Sequence, residues 1–254
     1  MPKMSGTIVA QRELRDSERD EMYALFSHYY DQTSRARFDE DLERKDHVIL
    51  LYDHERRIQG FSTMKHLVIR CGNKRHRGLF SGDTVVAEAF WGQRVLGKLF
   101  LRHLFLEKAK HPLEPYWWML ISKGYKTYLL MANNFAEHYP RYETPTPGAA
   151  QEILDVFASE LFGPAYCRQT GLIEFEHSLG QLKPGVAHID AEMLENPRIR
   201  FFVEHNRGWQ RGTELACIAR MTWSMPMYYA AKAAWKYWGR GQQQSGAQPS
   251  RVGR

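Results

Sequence analysis

Apolar and polar positions fall into periodic blocks along this chain, and the blocks predict its elements. GTIVAQREL near the start reads as a short strand. In DSERDEMYALFSHYY the apolar residues Met22, Leu25, Phe26 and Tyr29 recur at helical spacing, with Asp16 or Ser17 as cap. A second helix is expected over residues 34–45, capped by Ser34. HVILLYD is a continuous apolar run of the kind that buries both faces of a strand. HERRIQ turns the chain without an Asn-Gly signal, GFSTMKHLVI returns it, and RCGNKRHRG is a basic turn with two glycines. LFSGDTVVA is then a fourth strand. It leads into a helix whose Val95, Leu99, Leu101, Leu104, Phe105 and Leu106 predict a broad buried face reaching about His111. Pro112 and Pro115 stop it, and YWWMLI follows as a buried strand.

Residues 1–120 therefore read β-α-α-β-β-β-α-β, a mostly antiparallel meander that ends in a parallel step across a helix. Farther on the periodicity is weaker. TYLLMANNFAEHYPRY reads as a short helix or a strand passing into one, and ETPTPG as a loop. Residues 149–162 form a helix, GLIEFEH and RIRFFVEHN are strand candidates, and DAEMLEN is a short helix between them. No linker divides the chain before Gly239, so residues 1–238 are expected to be one domain, elaborated from about residue 145. The tail, residues 239–254, lacks an apolar anchor and is expected to be disordered.

Composition narrows the class. The 254 residues are 43% hydrophobic and 25% charged, values of an ordinary soluble globule with ample core. Seven Trp and thirteen Tyr make large apolar pockets or an interface plausible. A net charge of +6 suits an anionic partner, although the basic residues are spread along the chain. Cys71, Cys167 and Cys217 contain no Cys-x-x-Cys pair, which argues against a disulfide framework and against a zinc ribbon. The first residues have no apolar signal core, and no run approaches a membrane span, so a cytoplasmic protein is expected. The eleven histidines show no His-Glu-x-x-His motif and no compact cluster with Cys or Asp, and no metal is expected. No Gly-x-Ser-x-Gly elbow is present, and the basic turn at 70–78 is too short to imply nucleic acid.

The most suggestive stretch is WGQRVLGKLF, which joins the fourth strand to its helix. Gly92, four residues, then Gly97 and Lys98 match the spacing of a nucleotide P-loop. Leu99 stands where that motif needs a hydroxyl for magnesium, and the loop follows a meander rather than the first strand of a parallel sheet.

The order of elements resembles the GNAT superfamily of N-acyltransferases, over about residues 7–140. In that family the fourth strand runs into a pyrophosphate loop at a helix N-terminus, where backbone N–H groups hold coenzyme A. The row Val86-Ala-Glu-Ala-Phe90-Trp91-Gly92-Gln93-Arg94-Val95-Leu96 fits the family form at Val86, Phe90, Gly92, Gln93 and Val95. It departs from it at Trp91, Arg94 and Leu96. Two glycines of the family form are lost, and Arg94 adds a cation able to pair directly with phosphate. The resemblance implies a mixed, mostly antiparallel α/β sheet flanked by helices, with a C-terminal elaboration. It implies acyl transfer from an acyl-CoA or acyl-carrier-protein thioester to a small-molecule amine. Val85, Val86, Gly92, Gln93, Arg94, Gly97 and Lys98 would bind the donor, and an acidic acyl carrier protein is a candidate partner. Asp83, beside a bulge-compatible Gly82, would be the base. Tyr139, from the Asn133/Ala136/Tyr139 pattern, would be the acid, although Pro140 interrupts that pattern.

Two other readings stay open. The altered loop suits a GNAT-like binding or scaffold protein without catalysis. The stretch SMPMYYAAKAAWKYWG, residues 224–239, carries aromatics and lysines on separate helical faces, which suits peripheral contact with a membrane surface through residues 224–238. ISKGYKTYLLMANNF puts Lys123 and Lys126 between apolar blocks, either as a pocket rim meeting an anionic ligand or as a lysine-capped passage between elements.

Overall fold

In the computed structural model, residues 3–175, 181–182 and 188–225 are described. The chain divides into two compact units, Met1–Arg220 and Met221–Arg254. Residues 226–238 of the expected amphipathic helix, and the whole tail at 239–254, lie outside the described residues.

The predicted order is present in the first unit. Strand β1 (Ser5–Ala10) is followed by α1 (Asp16–Tyr29), α2 (Arg35–Glu43), β2 (His47–Tyr52), β3 (Ile58–Cys71), β4 (Lys74–Val86), α3 (Val95–Lys110) and β5 (Tyr116–Ser122). Then come α4 (Tyr125–Ala132), α5 (Gly148–Phe162), α6 (Pro197–His205) and β6 (Glu214–Met221). The sheet runs β1-β2-β3-β4-β5-β6 and ends in two short strands, Leu172–Ile173 and Tyr166–Cys167; the short strand His138–Tyr139 pairs with β6 off this path. β1 to β4 pair antiparallel, and β4 with β5 is the parallel step. The architecture is the expected mixed, mostly antiparallel sheet flanked by helices.

Local chemistry explains the boundaries. Ser34 caps α2 by accepting from the Arg37 amide. At α1 the cap is Arg15 rather than Asp16 or Ser17: the Glu18 carboxylate reaches back to the Arg15 amide at 3.1 Å. The basic turn is tighter than expected, because β3 runs to Cys71 and β4 restarts at Lys74. Only Gly72, at φ 56°, and Asn73 are left to reverse the chain.

One face of the sheet packs on α1 and α2 through Met22, Phe26, Phe38, Leu42, Val48, Leu50 and Phe61. The same face continues under α5 through Leu67, Ile69, Phe80, Trp117 and Phe157. Helix α3 covers the other face. A methyl on Gly6 would lie 2.9 Å from the Leu50 carbonyl oxygen of β2 and 2.7 Å from the Leu99 side chain of α3, so the position is tight where β1, β2 and the helix meet.

Three expectations need correction. RIRFFVEHN is not a strand: residues 197–205 are α6, capped by Asn196 with Pro197 in the first turn, and it buries Ile199 and Phe202 at helical spacing. GLIEFEH contributes only the pair Leu172–Ile173 among the described residues. The buried side of α3 is Phe100, His103, Leu104 and Lys108, whereas Leu106 is exposed.

Candidate functional site

The site is made by a fault in β4. Ser62 of β3 stands opposite Thr84, but Met64 stands opposite Ser81, so Gly82 and Asp83 share one partner, Thr63, in a bulge. A methyl on Gly82 would lie 2.6 Å from Thr63 Oγ1 and 2.9 Å from Lys45 Cε, which reserves the position for glycine. The hydroxyls of Ser62 and Thr84 bond at 2.7 Å across the strands, beside the bulge. Pairing of β4 with β5 ends at Ser81 opposite Leu120. Beyond that point the strands diverge around a cavity of about 400 Å³. Its wall includes Asp83 and also Trp118, whose ring lies 4.9 Å from that of Phe100 on α3. The gap is thus bordered by residues of both faces of the sheet.

Charge is concentrated in this wall. Lys45, almost fully buried, donates to both carboxylate oxygens of Asp41 at 2.6 Å. Lys123 pairs with buried Glu214 at 3.3 Å, and its ammonium stands 5.5 Å from the Tyr30 ring centre. Burial, reinforced by Asp41 and opposed by Lys45 and Lys123, pushes the Asp83 carboxyl up to about 6. Burial also raises Glu214 against the pull of Lys123. Tyr30 is raised well above the ordinary phenol range by burial and by the carboxylates of Asp83 and Glu214, so its hydroxyl keeps its proton at neutral pH.

The expected site residues separate into three places. Asp83 lines the cavity. Val85 is core, packed with Tyr52, Ile58 and Phe61. Val86 ends β4, and its carbonyl accepts from the Trp91 indole at 2.8 Å. Gly92 turns the chain at φ 83°, a conformation that favours glycine. Gln93 Oε1 accepts from the Met4 amide, which ties the start of α3 to the beginning of the chain. Arg94 is the N-cap residue of α3, and Arg94, Gly97 and Lys98 are all exposed. None of the residues from Gly92 to Lys98 lines the cavity.

Tyr139 lies elsewhere. The helix after β5 ends at Ala132, and Tyr139 sits in a short strand opposite Ile218 of β6, packed against the core beneath α5. It does not line the cavity. Tyr30, Asp41, Lys45 and Glu214 are the wall residues that the sequence did not single out. Lys45 and Asp41 carry a weak signal as an i,i+4 acid–base pair. Lys123 does lie on the cavity, and Lys126 stands 4.6 Å over the Trp91 ring instead.

No protein-family model matches the chain, and no curated protein matches it. Solved structures do show similarity. A protein of unknown function from Enterococcus faecalis, described as a probable N-acyltransferase, is 14% identical with a TM-score of 0.39, covering 50% of this chain and 32% of its own. The chain thus spans about a third of that protein's length. A GNAT-family N-acetyltransferase from Escherichia coli, solved with CoA, is 14% identical with a TM-score of 0.38, covering 54% of this chain and 70% of its own. An acyl-CoA N-acyltransferase from Pseudomonas aeruginosa is 14% identical with a TM-score of 0.35, covering 46% of this chain and 79% of its own.

Proposed function

We propose that the chain is an acyltransferase that moves an acyl group from a thioester donor, coenzyme A or an acyl carrier protein, to an amine. The observation that carries this reading is the cavity at the divergence of the bulged β4 from β5, with Asp83 in its wall. In the proposed reaction Asp83 takes a proton from the incoming ammonium. The free amine attacks the thioester carbonyl and the new C–N bond forms as the C–S bond breaks; the departing thiolate takes a proton from the acid, and the new amide nitrogen gives up a proton that returns to that acid through solvent. Tyr30, protonated and on the same wall, is proposed as that acid in place of Tyr139. The donor's phosphate is proposed to meet Arg94 and Lys98 at the exposed start of α3.

Thiol release from acyl-CoA and from acyl carrier protein, over a panel of amines, tests the reading. Asp83→Asn should lower turnover ~10²-fold or more with the fold intact. Arg94→Ala should weaken donor binding about 10-fold or more in calorimetric titration, as expected for a lost charged hydrogen bond. The reading fails if neither donor binds, or if activity per folded molecule is unchanged in Asp83→Asn.

A second reading has one observation in its favour. The Trp91 indole donates to the Val86 carbonyl at the end of β4, and the Lys126 ammonium stands 4.6 Å from the centre of its ring. A strand end closed in this way suits a binding protein without turnover. Turnover separates the readings: thiol release from a bound donor over the amine panel supports the enzyme, and donor binding with no thiol release supports the scaffold.

A further inference from the structure

On the sheet face opposite Asp83, three histidines far apart in sequence meet. His47 opens β2 and stands opposite Met64 of β3. His66 lies two residues beyond Met64 and therefore projects from the same face. Helix α3 covers that face and brings in His103, which is buried.

The geometry of the three rings is close to that of a coordination shell. The ring centres form a triangle with every side 5.3 Å. Nε2 of His66 and Nε2 of His103 are 3.3 Å apart, and one ring nitrogen from each of the three residues lies within 4.8 Å of the others. A zinc ion about 2.05 Å from each nitrogen at tetrahedral angles puts the nitrogens about 3.3 Å apart and the ring centres about 5.2 Å apart. One pair of nitrogens and all three ring spacings already meet that requirement, so a small rotation of one ring completes the set.

The surroundings support ligation. Nδ1 of His47 is buried with no hydrogen-bond partner. The Glu107 carboxylate lies 3.9 Å from His66 Nδ1, and Lys110 holds its other oxygen at 2.6 Å. A carboxylate behind an imidazole is the arrangement that orients a metal-bound histidine. The Asp46 carboxylate accepts from the His66 amide at 2.6 Å and fixes the backbone there.

We propose that His47, His66 and His103 bind one divalent transition-metal ion of the zinc class, cross-linking β2, β3 and α3. The fourth position is left to water. Three imidazoles and a water suit zinc, copper or nickel and discriminate against calcium and magnesium. The proposal does not depend on acyl transfer.

The full-length chain, stripped with chelator, is titrated with Co²⁺ and then with Zn²⁺. Expected are one equivalent of cobalt with the intense visible bands of four-coordination, displacement by zinc, and a melting temperature that climbs with zinc concentration. His47→Gln, His66→Gln and His103→Gln should each weaken zinc binding about 100-fold or more, and Glu107→Gln about 10- to 100-fold. Pulsed electron paramagnetic resonance of the copper-loaded wild-type chain should count three imidazoles, a readout that needs no variant to fold. The proposal is overturned if no saturable binding is found, if the copper spectrum shows fewer than three imidazoles, or if tight binding survives all three histidine substitutions.

Discussion

Asp83 and Glu214 are carboxyl groups held above their ordinary range in one wall, and each makes a prediction of its own. For Asp83 the sign is that of a destabilising group. Its folded value, about 6, lies above the unfolded value. The folded state therefore binds its proton more tightly, and stability falls as pH rises through the interval from about 4 to 6. Asp83→Asn should remove that slope and leave the melting temperature at pH 7 equal or higher, while turnover is lost. Burial raises Glu214, and Lys123, 3.3 Å away, opposes that rise. Lys123→Met leaves a buried carboxylate unpaired and should cost roughly 3–5 kcal/mol near neutral pH. The penalty should shrink in acid as Glu214 takes up a proton, and urea unfolding at two pH values checks it. Asp83 was legible in the sequence because an acid beside a glycine inside an apolar strand needs a reason. Tyr30 and Glu214 were not, since each reads as an ordinary element-end residue until the sheet brings residues 30, 83, 123 and 214 to one cavity.

Among the elements, the first half of the chain was legible and the second half much less so. β1 through β5 follow one another with short connections, and each pairs or packs with a near neighbour in sequence. β6 takes its place beside β5 after more than ninety intervening residues, and no local pattern announces such a partner. α6 does carry local signals: Asn196 and Pro197 are start signals, and Ile199 and Phe202 are three apart. The histidine triangle escaped for the same reason as β6. It takes one residue from each of three elements, so only register and helix packing reveal it. Packing also makes the α5–sheet contact sensitive at one point. A methyl on Gly78 would lie 2.7 Å from the ring of fully buried Phe157. Gly78→Ala should destabilise by about 1–3 kcal/mol. Phe157→Leu in the same chain should recover part of that loss, giving a coupling that a double-mutant cycle measures.

Across the whole molecule the net charge is +6, and the proposed donors are anions. Association with an acidic carrier protein should therefore slow steeply as salt rises, and association with acyl-CoA should slow less, because fewer charges are screened. Stopped-flow binding at two ionic strengths gives the comparison. The long β3–β4 hairpin bears on how this molecule behaves at high concentration. Pairing of β3 with β2 stops at Met64, while β3 itself continues to Cys71. Its last residues thus face away from β4 without a strand beside them among the described residues. Beyond His66, whose amide bonds Asp46, an edge of this kind is where a second copy would add its own strand. The side chains along the arm include Lys65, Arg70, Lys74 and Arg75, so two arms meeting edge to edge bring like charges together. The hairpin should thus keep copies apart by repulsion instead of by cover, and polyanions or strong salt, which cancel that repulsion, are the conditions under which this protein should begin to self-associate.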